Sequence, residues 1–354
     1  MMKRWMNKRT WIVLALYVCC GLAFFYLYYM QAKGIYEGDL EMHIHSALAG
    51  RGYSLLSFIY WSIFRLTGKV GAICLFLSFF SVLSAGFTAC AIRYILRKKG
   101  KELRWETALL LGLLLLFLCK IFIPGISPTF YIGYSFMTQP WHNQTYIFMR
   151  FFALLTMVIY FEIEQRYLHT FTKKDALFFT VLLALTNSVK PNFVLFFSLM
   201  MLIYLIRDFV YTKGKKFKNI FLFGSCVLLS LVILVWQSTV LFPAESGGGG
   251  IAVSFSALAA FFSSWRNVAG CIISMLFPIL VYVWTVWEKR ERGILTKSWI
   301  MLVIAALESF CLVETGERTA HGNFIWGRYC AGWLLFVFSL IQYIVLLDSV
   351  KNTK

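Results

Sequence analysis

The sequence predicts an all-α polytopic membrane protein, on three observations. Of its 354 residues, 60% are hydrophobic and only 14% are charged, and the mean hydropathy is +0.73. Apolar runs of about twenty residues, the length that carries a helix across a ~30 Å hydrocarbon core, recur along the whole chain. Inside that core each backbone polar group must find its partner within its own segment, so such runs are helices. No stretch is long and polar enough for a separate soluble domain, and a single membrane domain over 1–354 is expected.

The formal charge of +18 comes from 34 Lys and Arg against 16 Asp and Glu. The basic residues gather in short loops, which is the signature of cytoplasmic loops rather than of a nucleic-acid surface. No nucleic-acid module accompanies them, so nucleic acid is excluded as a partner. Nine cysteines lie in or beside apolar runs without any Cys-x-x-Cys pair, and they read as small hydrophobes rather than disulfides or metal ligands. Met1–Thr10 is basic and lacks a small-residue cleavage signal, so the first apolar run is expected to be a retained span.

Taken in order, the basic clusters are Lys3/Arg4/Lys8/Arg9, Arg97/Lys98/Lys99/Lys101/Arg104, Arg166/Lys173/Lys174, Arg207/Lys213/Lys215/Lys216/Lys218, Lys289/Arg290/Arg292/Lys297 and Lys351/Lys354. An even number of crossings must join each to the next. The first pair is joined by spans at 11–30 and 71–95. The apolar stretch 53–66 between them, broken by Arg65, would spoil that parity as a third span. Its Leu55, Phe58, Ile59, Ile63 and Leu66 share one helical face and Ser54, Ser57, Trp61 and Arg65 the other. It is expected to be an amphipathic helix on the outer surface, within an outer loop 31–70.

Spans at 106–123 and 146–164 follow, joined by the outer loop 124–145. The stretch 176–206 is apolar apart from Asn187-Ser188-Val189-Lys190-Pro191-Asn192 at its centre. As one helix it would be ~46 Å long and would break parity, so a short hairpin is expected, with Pro191 and two Asn in its turn. The last spans lie at 220–241, 267–287, 299–313 and 329–348, with outer loops 242–266 and 314–328. The total is about ten crossings with both termini inside. Gly247–Gly250 marks a flexible loop and not a phosphate cradle, because no Lys-Ser/Thr follows.

The unusual polar groups then fall on one side. Glu37-Gly38-Asp39-Leu40-Glu41-Met42-His43-Ile44-His45 carries three carboxylates and two imidazoles just past the first span. Asp39 and His43 stand one helical turn apart, and Glu41 and His45 share the opposite face. A carboxylate beside an imidazole can serve as a general base or hold a divalent metal. The His-x-His spacing without an outer Cys is not diagnostic of zinc, and solvated loop charges are the plain alternative. Lys190 falls at membrane depth, where an ionisable group is costly and points to function, unless it snorkels to the headgroups. It suits a phosphate. Arg266, Arg318, His321 and Arg328 lie in the later outer loops, where an arginine can clamp a phosphate bidentately. Trp141-His142-Asn143-Gln144 contributes His142 and Asn143 as substrate contacts, and Asn143-Gln144-Thr145 also fits a glycosylation sequon. Trp and Tyr at these borders more often anchor the membrane interface than stack on sugars.

This layout resembles the GT-C class of integral-membrane glycosyltransferases. Gly38-Asp39-Leu40-Glu41 stands where that family carries an acidic motif after its first span, and 53–66 stands where it carries a surface helix. The 176–206 hairpin with Lys190-Pro191 resembles its short paired spans. The likeness covers about the first 210 residues. The chain is short for the family and has no large soluble C-terminal domain. The resemblance implies transfer of a sugar from a polyprenyl-phosphate-linked donor to a glycan, lipid or protein acceptor on the outer face of a bacterial plasma membrane. Asp39 would be the general base, with Glu41 and His43 beside it. Lys190 and an outer arginine would hold the leaving phosphate. No resident cofactor is implied; the lipid-linked sugar is a substrate. The alternatives are a lipid-linked saccharide transporter or flippase, which should show broken helices in matching positions, and a polysaccharide polymerase or multi-pass acyltransferase.

Overall fold

The computed structural model describes residues 8–52, 54–119, 136, 138–241, 250–316 and 322–352. These are almost wholly helical. Among the described residues seven helices are long and apolar enough to cross a membrane, or eight if a bent pair is one span. The chain is a multi-pass, nearly all-α membrane protein. It divides into two compact units, Met1–Leu118 with Gln139–Phe151, and Cys119–Thr138 with Phe152–Lys354.

The first unit holds α1 (Lys8–Ala32), α2 (Leu40–Leu48), α3 (Leu55–Thr67), α4 (Val70–Lys98), α5 (Trp105–Leu116) and the start of α6 (Gln144–Glu164). Helix α1 buries one stripe, Val13, Tyr17, Phe24, Tyr28 and Gln31, at helical spacing. Its other faces expose Trp11, Ile12, Val18 and Leu22, as a lipid-facing helix does. In lipid no hydrophobic gain separates helix from tail, so close packing and hydrogen bonds must hold helices together. Here Ser78, Ser81, Ser84, Ala85 and Ala89 of α4 supply a small-residue face. The Tyr28 hydroxyl meets Ser81 Oγ at 2.9 Å, and Tyr17 donates to the Leu109 carbonyl at 3.0 Å. Gly112 of α5 lies so close to the Ala85 carbonyl that a methyl group there would collide with it.

Helix α5 has 12 residues, ~18 Å of helix, so it ends before the full span expected over 106–123. Buried Arg150 of α6 meets that end, donating Nη1 to the Leu116 carbonyl at 3.3 Å and Nη2 to the Leu115 carbonyl. A guanidinium there adds charged donors to the last carbonyls of α5 and opposes the negative end of the helix dipole. Residues 120–135, the end of that expected span and the start of the expected outer loop with Pro124 and Pro128, lie outside the described residues.

Helix α3 forms where an amphipathic helix was expected, capped by Ser54 and stopped by Gly68 in a left-handed conformation. Phe58 and Leu66 are exposed on the expected apolar face. The opposite face is not solvated throughout: Leu56, Ser57 and Tyr60 are buried. Ser57 approaches Gly52 closely, and its hydroxyl lies 3.1 Å from Ser54 Oγ.

The second unit carries the rest of α6, then α7 (Lys173–Val189), α8 (Asn192–Tyr211), α9 (Phe217–Ser225), α10 (Leu228–Trp236) with a π-helical turn Gln237–Leu241, β1 (Ile251–Val253), α11 (Ser256–Phe262), α12 (Trp265–Ser274), α13 (Leu276–Trp287), α14 (Gly293–Cys311), β2 (Leu312–Glu314) and α15 (Ile325–Asn352). Helices α7 and α8 form the expected hairpin. A continuous helix would hold Phe179 and Phe197 ~27 Å apart; their ring centroids are 6.2 Å apart. Lys190 is extended, with φ −161° and ψ 120°, and Pro191 follows it. That is the conformation a residue preceding proline prefers.

The expected count of ten includes α5 and α7, which have 12 and 17 residues and are shorter than the helices that meet the spanning length. Helices α12 and α13 bend by 57° at Met275. Pro278 sits four residues beyond Ser274, so its ring and missing N–H break the ladder there. The loops expected at 242–266 and 314–328 are not irregular throughout. β1 pairs antiparallel with β2, Ala252 opposite Val313, and α11 follows. Gly247–Gly249 lie outside the described residues, as do Lys3, Arg4 and Lys354.

Candidate functional site

The acidic motif folds as a turn and then α2. Gln31, buried in the last turn of α1, donates to the Glu37 carbonyl at 2.9 Å and the Trp141 carbonyl at 3.2 Å, and accepts from Gln144 Nε2 at 2.9 Å. A side chain at Gly38 would collide with the Gln31 amide and displace it from these bonds. Asp39 occupies the N-cap of α2, yet its side chain makes no capping bond. Its carboxylate is turned instead to the 142–143 segment, and its own N–H donates to the His142 carbonyl at 3.0 Å.

Asn143 is the pivot. Its Oδ1 accepts from the Thr145 N–H at 3.1 Å and from the Thr145 hydroxyl, which identifies the oxygen and fixes the amide. Nδ2 therefore faces the acidic motif. It donates to Asp39 Oδ2 at 2.7 Å and lies 3.5 Å from His43 Nε2. His142 Nε2 stands 3.7 Å from Asp39 Oδ1. Asn143, Gln144, Thr145 and His43 are buried, whereas the Asp39 and His142 side chains keep 28% and 37% of their surface. The result is one carboxylate oxygen held by a neutral donor and the other beside a reachable imidazole. A general base needs such an arrangement, and its hydrogen bonds commonly tighten only when substrate is bound. The opposite face of α2 carries Glu41 and His45, 3.9 Å apart and solvent-exposed. Among the described residues no three His, Cys, Asp or Glu side chains gather as a metal site would require.

The expected role of one residue here changes. Asn143 was expected to touch substrate; it is buried and orients Asp39. Its sequon is buried with it and offers no amide to a glycosylating enzyme.

In the second unit the hairpin turn meets the start of α15. Half-buried Lys190 places Nζ 4.3 Å above the Trp326 ring. Asn192 Nδ2 donates to the Asn323 carbonyl at 2.8 Å, and Asn323 Nδ2 donates to Glu314 Oε2 at 2.6 Å. The structure thus joins two motifs that are far apart in sequence. Arg328 is not in an open loop as expected. It sits in the first turns of α15, 3% exposed, with its guanidinium carbon 4.8 Å from the Phe310 ring centroid and 5.6 Å from those of Phe136 and Tyr329. Its Nε–H is buried without a hydrogen-bond partner among the described residues. Arg266 is exposed near the start of α12, where Ser264 accepts its backbone N–H. Glu317, Arg318 and His321 lie outside the described residues.

Two charged residues in apolar runs escaped the sequence reading, Arg150 and half-buried Glu308 of α14. Lys297, read there only as part of a basic cluster, is buried with its Nζ 2.9 Å from Glu164 Oε2. The available signal was an ionisable side chain inside a span. Gln31 gave a weaker one, an amide at the end of an otherwise apolar helix. No family model, curated protein or solved structure matches the chain.

Proposed function

We propose that the chain is a membrane glycosyltransferase of the GT-C kind, moving a sugar from a polyprenyl-phosphate-linked donor to an acceptor hydroxyl. About ten crossings, both termini inside and an outward-facing site complete this reading. One observation carries it. Asp39 stands at a helix start without capping the helix, oriented by the Asn143 amide and open to His142. In this mechanism Asp39 accepts the proton of the acceptor hydroxyl as the hydroxyl oxygen attacks the anomeric carbon. The bond from that carbon to the phosphate oxygen breaks, and the phosphate leaves with the electron pair. Lys190 and an outer arginine pair with the phosphate charge as it grows.

The test is sugar transfer by purified protein in nanodiscs. Asp39→Asn keeps size and hydrogen bonding but removes proton acceptance, so turnover should fall ~10²–10⁴-fold. Lys190→Met should raise the donor KM instead. A well-folded Asp39→Asn protein with normal turnover refutes the assignment. A second reading, a transporter of the lipid-linked saccharide, draws on the break at Lys190-Pro191 together with the 57° bend between α12 and α13. Two interrupted segments are what such a transporter uses at its binding site. It predicts vesicle uptake of the saccharide lipid that survives Asp39→Asn.

A further inference from the structure

At the end of the second unit that carries the basic loops, four charges surround one aromatic ring. Lys297 Nζ lies 4.6 Å and Arg207 Cζ 4.4 Å from the Tyr204 ring centroid. Each cation has its own carboxylate: Lys297 is 2.9 Å from Glu164 Oε2, and Arg207 places Nη2 2.6 Å and Nε 2.8 Å from Asp208 Oδ1. Asp208 Oδ2 accepts from the buried Tyr167 hydroxyl at 2.6 Å. The Asn219 amide holds the Tyr167 and Leu168 carbonyls at 3.0 and 3.2 Å. These bonds give firm walls to a cavity of about 380 Å³, lined by Glu164, Gln165, Leu168, Arg207, Asp208 and Tyr211. That volume lies within the ~300–1,000 Å³ usual for small-molecule sites.

The lining is amphiphilic, and its charges are of both signs. Ile206, Phe209, Val210 and Tyr211 beside it are exposed, as side chains that face lipid are. Arg207 commits Nε and Nη2 to Asp208, and its Nη1 has no partner among the described residues. Glu164 commits Oε2 to Lys297, and its Oε1 has no hydrogen bond among them. A guanidinium suits a phosphate and a carboxylate suits an ammonium. A purely anionic headgroup would satisfy the first and be repelled by the two acids.

We propose that this cavity holds the headgroup of an amine-bearing phospholipid, with Arg207 on its phosphate and Glu164 on its ammonium. The acyl chains would lie along the exposed apolar face of α8. The site is independent of Asp39 and of the reaction assigned to it.

The experiment uses the full chain, purified and stripped of lipid in detergent. It is titrated with short-chain phosphatidylethanolamine, short-chain phosphatidylglycerol and glycerophosphoethanolamine, and read by calorimetry and native mass spectrometry. Saturable binding of the first is expected, with the other two at least about tenfold weaker. Leu168→Trp fills the cavity without touching an ion pair and should abolish binding at unchanged thermal stability. Arg207→Gln removes the phosphate partner and should weaken binding on the order of tenfold or more. Equal binding of phosphatidylethanolamine and phosphatidylglycerol overturns the proposal, as does undiminished binding by Leu168→Trp. Equal binding of glycerophosphoethanolamine overturns the lipid as the source and leaves a soluble amine-phosphate.

Discussion

Asp39 illustrates how far single residues can be read. Its place after the first span and its spacing from His43 marked it in the sequence, and the structure brings His142 to 3.7 Å from its carboxylate. The role of Asn143 was not legible. Nothing in Trp141-His142-Asn143-Gln144 shows that the amide is clamped by Thr145 and aimed at a carboxylate more than a hundred positions earlier. Such pairing is tertiary, and no local spacing encodes it. Asn143→Ala should leave Asp39 unrestrained and lower turnover ~10–100-fold, since sub-ångström misplacement of a reacting group is costly. Thr145→Val removes only the hydroxyl that fixes the amide, and its effect should be smaller and in the same direction. Asn143→Gln should not restore the rate, because its longer arm cannot serve Thr145 and Asp39 together. Turnover in the sugar-transfer assay ranks the three, and an unchanged rate in Asn143→Ala defeats the positioning role.

At the scale of elements, patterning predicted the long helices well because each is apolar over a full span. It predicted the α7–α8 hairpin through Pro191 and parity. It missed where α5 ends, because that end depends on Arg150 from another helix. Arg150→Met should remove the charged donors from the end of α5 and destabilise the protein by about 1.5–3 kcal/mol, read as a lower unfolding midpoint in detergent. The α6–α7 connection offers a pH test. Arg166 grips the Asp175 carboxylate with Nη1 at 2.9 Å and Nη2 at 2.7 Å, and Thr172 completes a capping box with it. The Arg166 guanidinium, chiefly, holds Asp175 well below the usual carboxylate range, with the Thr172 bonds in support. A depressed carboxylate contributes its stability above its unfolded pKa of ~3.9 and loses it as pH falls through the lower folded value. Asp175→Asn should therefore unfold at lower temperature than the parent at pH 7. The gap should narrow progressively below about pH 4. A gap of the same size at pH 7 and pH 3 excludes this linkage.

For the whole molecule, composition alone points to a multi-pass helical protein, and the structure agrees, with seven helices long and apolar enough to span, or eight with the bent pair, among the described residues. The crossing count is harder to read, because α5 and α7 are short and a membrane's thickness is not written in their sequence. Orientation rests on the basic loops, and impermeant thiol labelling in intact cells decides it. After replacement of the nine native cysteines, single cysteines go at exposed positions. Glu37→Cys lies between α1 and α2, and Ile251→Cys lies in β1; both should label. Cysteines at Lys99 and Lys215, beside basic clusters, should label only after the cells are opened. Asn143 is unsuitable as a reporter, because its burial would block labelling on either side. The pair at 37 and 251 also tests parity. The expected crossings between them are 71–95, 106–123, 146–164, both hairpin legs and 220–241, an even number that leaves both outside. If α5 and α7 did not cross as expected, yet both sites still labelled, they would have to drop out together. Labelling at 37 but not at 251 means that a single crossing has been miscounted. Labelling at 99 and 215 in intact cells reverses the orientation, and with it the outward-facing assignment of Asp39.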